Sequence, residues 1–125
     1  MTDPAQLRIG SIVIHCHEFD RMVAFWCEAL GYVPREPPRG GWVVLTDPTH
    51  RGPNVSLQAR DRRPASRSWL HLDLYTRERD KEVDRLLGLG AKRYPWRSAA
   101  PADFVVLEDP DGNLFCVVQK DAHER

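Results

Sequence analysis

Apolar positions along this chain recur in two successive rounds, each passing from strand-like to helix-like spacing and back. The first round opens with "RIGSIVIHC" (8–16), where Ile9, Ile12, Val13 and Ile14 predict a strand buried on at least one face. In "FDRMVAFWCEALGY" (19–32), Val23, Trp26, Cys27 and Leu30 recur at helical spacing, which makes Trp26 a core residue. Asp20 is the expected N-cap, Phe19 before it a hydrophobic staple, and Gly31 the stop. An irregular, proline-rich "VPREPPRGG" (33–41) leads to the predicted strands "WVVLTD" (42–47) and "NVSLQ" (54–58).

A solvated, arginine-rich connector, "ARDRRPASR" (59–67), separates the rounds. The second begins at "WLHLDLY" (69–75), which alternates cleanly: Leu70, Leu72 and Leu74 on one face, His71, Asp73 and Tyr75 on the other. "TRERDKEVDRLLGLGA" (76–91) predicts a helix with Val83, Leu86 and Leu87 inward and Gly90 as its stop. The strands "FVVLED" (104–109) and "NLFCVVQ" (113–119) follow, with "PDG" turning between them.

The two rounds are an internal repeat. "ALG" (29–31) ends one helix and "GLG" (88–90) the other; "LTDP" (45–48) is echoed by "LEDP" (107–110); Gln58 and Gln119 close the halves. Ser11 overlays His71, and His15 overlays Tyr75. The pattern predicts an α+β domain over 7–120, with modules at about 8–59 and 68–120 and a charged tail at 121–125 that carries His123. Its helices would lie on the outer face of curved antiparallel sheets, leaving the concave face to bind something. An edge-strand or sheet-completing homodimer would bury what remains.

Composition narrows the function classes. The 18 basic and 18 acidic residues cancel, which argues against nucleic acid as a partner. No apolar run reaches membrane-spanning length, and no signal pattern opens the chain. Three cysteines without paired spacing do not make a disulfide framework, so free thiols in the cytoplasm are expected. There is no nucleophile elbow, phosphate-cradling glycine loop or CxxC.

The strings "DRMVAFWCEALGY", "LHLDLY" and "LEDPDGNLFCVVQ" together resemble the vicinal oxygen chelate superfamily, and within it the small glyoxalase-like proteins. The resemblance spans about residues 9–119. It implies two βαβββ modules and a superfamily of glyoxalases, epimerases, extradiol dioxygenases, fosfomycin-inactivating thiol transferases and bleomycin-sequestering proteins. It also implies a divalent metal (Zn, Fe, Mn or Ni) held from four strand positions in many members and absent from others. Those positions fall on Ser11, Ser56 (with Val55 or Leu57 as alternatives), His71 and Cys116. Serine is a poor ligand for such metals, so the quartet is largely lost.

The candidate residues follow from this. Ser11, His15, Ser56, Gln58 and Tyr75 would line the ligand cavity. His71 would supply proton transfer with Asp73 orienting it, and any metal would use His71 with Cys116. For each there is a plainer reading: His71 as a hydrogen-bonded pocket histidine, Cys116 as a small buried hydrophobe, Gln58 as a strand-edge tie. Trp42, Trp69 and Trp96 could wall a planar ligand or simply pack. Relatives carry Lys-Asn-Arg before "LHLDL", where this chain has Arg67, Ser68 and Trp69. The triplet His15-Cys16-His17 looks like a metal site, but alternation sends Cys16 toward the helices and His15 toward the cavity. The expected function is binding or sequestration of a small organic molecule. The alternative is a metal-dependent lyase, isomerase or dioxygenase acting at vicinal oxygens.

Overall fold

A computed structural model describes residues 9–61, 71–95 and 103–120. Trp69, Leu70, Trp96, most of the arginine-rich connector and the tail with His123 lie outside the described residues. The elements run β1 (Ile12–Cys16), α1 (Phe19–Leu30), β2 (Val33–Pro34), β3 (Trp42–Thr46), β4 (Val55–Ala59), β5 (Leu72–Thr76), α2 (Arg79–Leu89), β6 (Lys92–Arg93), β7 (Phe104–Glu108) and β8 (Leu114–Gln119). They build two four-stranded sheets, ordered β1-β4-β3-β2 and β5-β8-β7-β6, so each half is a βαβββ module of an α+β fold.

The sheets are mixed where the sequence reading had them antiparallel. β1 runs parallel to β4, and β5 parallel to β8. The crossover helix causes this: it returns the chain so that β2 runs like β1, and two hairpin reversals then bring β4 round in that same direction. β2 and β6 escaped the sequence reading. Each has only two residues, Val33–Pro34 and Lys92–Arg93, too few to set up a period.

α1 begins two residues earlier than an Asp20 N-cap would place it. Phe19 is its first residue, Glu18 its N-cap without a side-chain cap bond, and Asp20 lies in its first turn. The α1 residues buried against the sheets are Met22, Phe25 and Trp26, with Val23, Cys27 and Leu30 flanking them half-buried. Gly31 and Gly90 end the two helices in the left-handed region, as their position predicts. One hydrophobic core joins the modules: Met22, Phe25, Trp26 and Leu57 share it with Val83, Leu86, Leu107 and Phe115. The rings of Trp26 and Phe115 meet edge to face at 5.2 Å.

Polar ties also cross between modules. Asp111 accepts the backbone N–H of Glu18 (2.8 Å) and of His17, capping α1 from the turn before β8. At the other end of α1, the Arg85 guanidinium donates to the carbonyls of Glu28 and Ala29, both at 3.0 Å. Negative charge at the N-terminus and positive charge at the C-terminus both oppose the helix dipole.

Candidate functional site

Strand register decides which side chains face away from the core. In the first module Val13 lies opposite Ser56, and His15 opposite Gln58. Across the next pair Val44 lies opposite Ser56, and Trp42 opposite Gln58. Ser11, Val13, His15, Ser56, Gln58, Trp42 and Val44 therefore share one open face. Val55 and Leu57 point the other way into the core, which resolves the ambiguity of that strand. In the second module Asp73 lies opposite Cys116 and Tyr75 opposite Val118. His71, Asp73, Tyr75 and Cys116 form the matching open face. Each is sixty positions beyond its counterpart: Val13 and Ser56 in one module, Asp73 and Cys116 in the other.

The same two positions carry different chemistry in the two halves. The Ser11 and Ser56 hydroxyl oxygens are 2.6 Å apart, one donating to the other, and Ser56 is fully buried. Each hydroxyl thus satisfies its neighbour, and neither offers a strong metal donor. Further along this face, Arg60 donates to His15 Nε2 at 3.2 Å, which leaves the imidazole proton on Nδ1.

In the second half His71 Nε2 lies 3.3 Å from Asp73 Oδ1. The donor atoms of His71, Asp73 and Cys116 all fall within 4.8 Å of one another. Burial, the negative charge of Asp73 and a hydrogen bond to it raise the Cys116 thiol above its ordinary value. An imidazole nitrogen, a carboxylate oxygen and a sulfur in one cluster fit a divalent ion of borderline softness. Asp73 as acceptor also favours the His71 tautomer with its proton on Nε2 and a free lone pair on Nδ1. Tyr75, 54% exposed, carries the Lys120 ammonium 4.7 Å from its ring centroid.

The triplet His15-Cys16-His17 comes apart. Cys16 is buried against the helices, where desolvation, aided by Asp111 and Asp109, pushes its thiol up to about 11. His17 is exposed, with its backbone N–H on Asp111. Among the described residues neither His15 nor His17 joins a group of potential metal donors. The register of β5 on β8 makes Asp73, the expected orienting partner of His71, also the direct neighbour of Cys116. Arg60, inside the expected solvated connector, is a further contributor, and no periodicity marks it as the partner of His15.

A glyoxalase-like domain model matches residues 11–118. No curated protein matches the sequence. Among solved structures, a glyoxalase/bleomycin resistance protein/dioxygenase family enzyme from Burkholderia phytofirmans PsJN is similar at 19% identity, with a TM-score of 0.70 over 89% of this chain and 97% of that one. A fosfomycin resistance protein from Listeria monocytogenes, complexed with Mn(II) and dihydroxypropylphosphonic acid, gives 15% identity and a TM-score of 0.73 over 92% and 91%. A bleomycin-binding protein complexed with bleomycin gives 21% and 0.60 over 96% and 100%. The structural matches share the fold, and the domain match extends over most of the sequence. The chain belongs to the glyoxalase-like domain family of the vicinal oxygen chelate superfamily.

Proposed function

We propose that this protein binds and sequesters a small organic molecule on its open sheet faces, using Ser11, His15 and Gln58 with His71, Asp73, Tyr75 and Cys116, while the buried Ser56 holds Ser11 in place. The observation that carries the reading is the 2.6 Å hydrogen bond between Ser11 and Ser56. It pairs the two hydroxyls that stand at half of the family's ligand quartet, which supports binding without a four-ligand metal. The exposed apolar residues Val13, Val33, Trp42 and Tyr75 support the reading. A broad panel of aromatic antibiotics and metabolites should contain compounds that raise the melting temperature, since binding at a hundredfold excess over Kd adds roughly 2.7 kcal/mol. The response should disappear in His71→Ala while the fold persists. A flat response across the panel would sink the reading.

A second reading rests on the His71, Asp73 and Cys116 cluster, which offers three donors to a divalent ion. In that case an ion there would polarise substrate oxygens. The chain's own part would be to hold that ion through His71, Asp73 and Cys116, with their donor atoms already gathered on one face. Metal analysis of protein purified without chelator should then find one equivalent, lost in His71→Ala. Metal-free protein whose stability ignores both EDTA and added Zn²⁺ or Mn²⁺ would exclude it.

A further inference from the structure

The irregular "VPREPPRGGW" segment, assigned no role by its sequence, closes a cavity. β2 and β3 are joined by a hairpin whose tip, Arg39-Gly40-Gly41-Trp42, is a two-residue turn. Arg39 N–H donates to Trp42 O at 3.0 Å, and Trp42 N–H to Arg39 O at 3.1 Å. Gly40 and Gly41 both have positive φ, 61° and 73°, as the primed turns of two-residue hairpins require. Between that tip and β2, Pro37 and Pro38 stiffen the returning arm. The result is a preformed concavity of about 530 Å³ walled by Arg35, Glu36, Pro37, Pro38, Arg39 and the stretch Trp42 to Val44. Its size falls within the roughly 300–1,000 Å³ of small-molecule sites.

The chemistry of the wall is selective. Trp42 is 40% exposed, so a large ring face is open to solvent. Both guanidiniums, Arg35 and Arg39, lack a side-chain partner among the described residues, while Glu36 contributes one opposing carboxylate. Two cations against one anion leave a single positive charge to be matched. An exposed indole in a half-open concavity beside unpaired planar guanidiniums suits a flat aromatic body bearing one carboxylate, by stacking and charge-assisted hydrogen bonding. A dianion would meet Glu36.

We propose that the cavity under the β2–β3 hairpin is the subsite for a planar aromatic monoanion, stacked on Trp42 and paired with Arg35 or Arg39. Trp42 and Val44 lie in register with Gln58 and Ser56, so the subsite adjoins the open face of the first module. The inference therefore rests on the small-molecule reading and specifies the class of molecule.

Naphthoate and its uncharged counterpart naphthamide, titrated separately by calorimetry into the full-length protein, test it. Naphthoate should bind saturably in or below the millimolar range and at least about tenfold more tightly than the amide. The Arg35→Gln/Arg39→Gln double variant should erase that difference, and Trp42→Leu should weaken both ligands. Arg93→Gln, on β6 of the other module, should change neither, because the fragment occupies only the hairpin subsite. Absence of saturable naphthoate binding, equal affinity for acid and amide, or an acid preference that survives the double variant would each overturn the inference. Naphthoate binding that is lost in His71→Ala but retained in Trp42→Leu would overturn it too, while leaving the small-molecule reading standing.

Discussion

Asp47 and Asp109 occupy the same place in the repeat, in "LTDP" and "LEDP", yet they ionise in opposite directions. Asp47 is half-buried and accepts the Thr49 hydroxyl and the amides of Thr49, Arg51 and Gly52. The Thr49 hydroxyl, with those amides behind it, lowers the Asp47 carboxyl to about 2. Asp109 is 2% exposed, and burial raises its value despite donors from Asp111, Asn113 and the Trp26 indole. The signs follow. Asp47 contributes stability that is complete above its ordinary 3.8 and lost as pH falls through about 2. Asp47→Asn should therefore lower the melting temperature by a constant amount at neutral pH and by progressively less below pH 3.8. A gap that widens on acidification would contradict the assignment. For Asp109 burial outweighs the donors in setting ionisation, yet all four donors still need an acceptor there. Asn at that site has one acceptor oxygen for four donors and turns an NH₂ toward two of them. Asp109→Asn should cost about 2–3 kcal/mol in urea denaturation.

At the scale of elements, alternation, helical period and the glycine stops were legible in the sequence, and N-terminal capping was not. The faces of β1 and β5 follow from period-two alternation, which for β5 puts His71, Asp73 and Tyr75 together, whereas the face of β4 is fixed only by its register on β1. The helix N-termini depend instead on groups remote in sequence. Asp111 reaches α1 across 93 and 94 positions, and Gln119 accepts the Arg79 N–H at the start of α2 across 40. Asp20, the local cap candidate, sits inside the first turn instead. A local reading cannot see an acceptor delivered by another module's hairpin. The inward stripe of α1 was likewise set by what it packs against: Phe115 and the β4 strand select Met22, Phe25 and Trp26 over the flanking Val23 and Cys27. Asp111→Ala should destabilise the protein by about 1–2 kcal/mol, the usual worth of an N-cap acceptor. Amide exchange should accelerate first at the start of α1. Unchanged exchange there, with loss confined to the 109–113 turn, would show that Asp111 serves only its own loop.

For the whole molecule, the repeat invites the picture of two independent halves, and the packing contradicts it. Trp26 of the first helix sits against Phe115 of the last strand and donates its indole N–H to Asp109. The end of the same helix is held by Arg85 from the second. Neither module keeps a complete core without the other, because Met22, Phe25 and Trp26 pack in the same cluster as Val83, Leu86 and Phe115. Two βαβββ units joined in this way should unfold as one cooperative transition. Phe115→Ala tests the point, since it removes a ring that is 1% exposed from the shared cluster. The expected loss is about 3–5 kcal/mol, the range for deleting a buried aromatic side chain. That loss should appear equally in probes placed in either half: urea midpoints followed by exchange of β3–β4 amides and of β7–β8 amides should shift together, with an unchanged slope against denaturant. A first module that keeps its midpoint while the second melts early would mean that the halves are coupled only at their surfaces, and the shared-core account would fail.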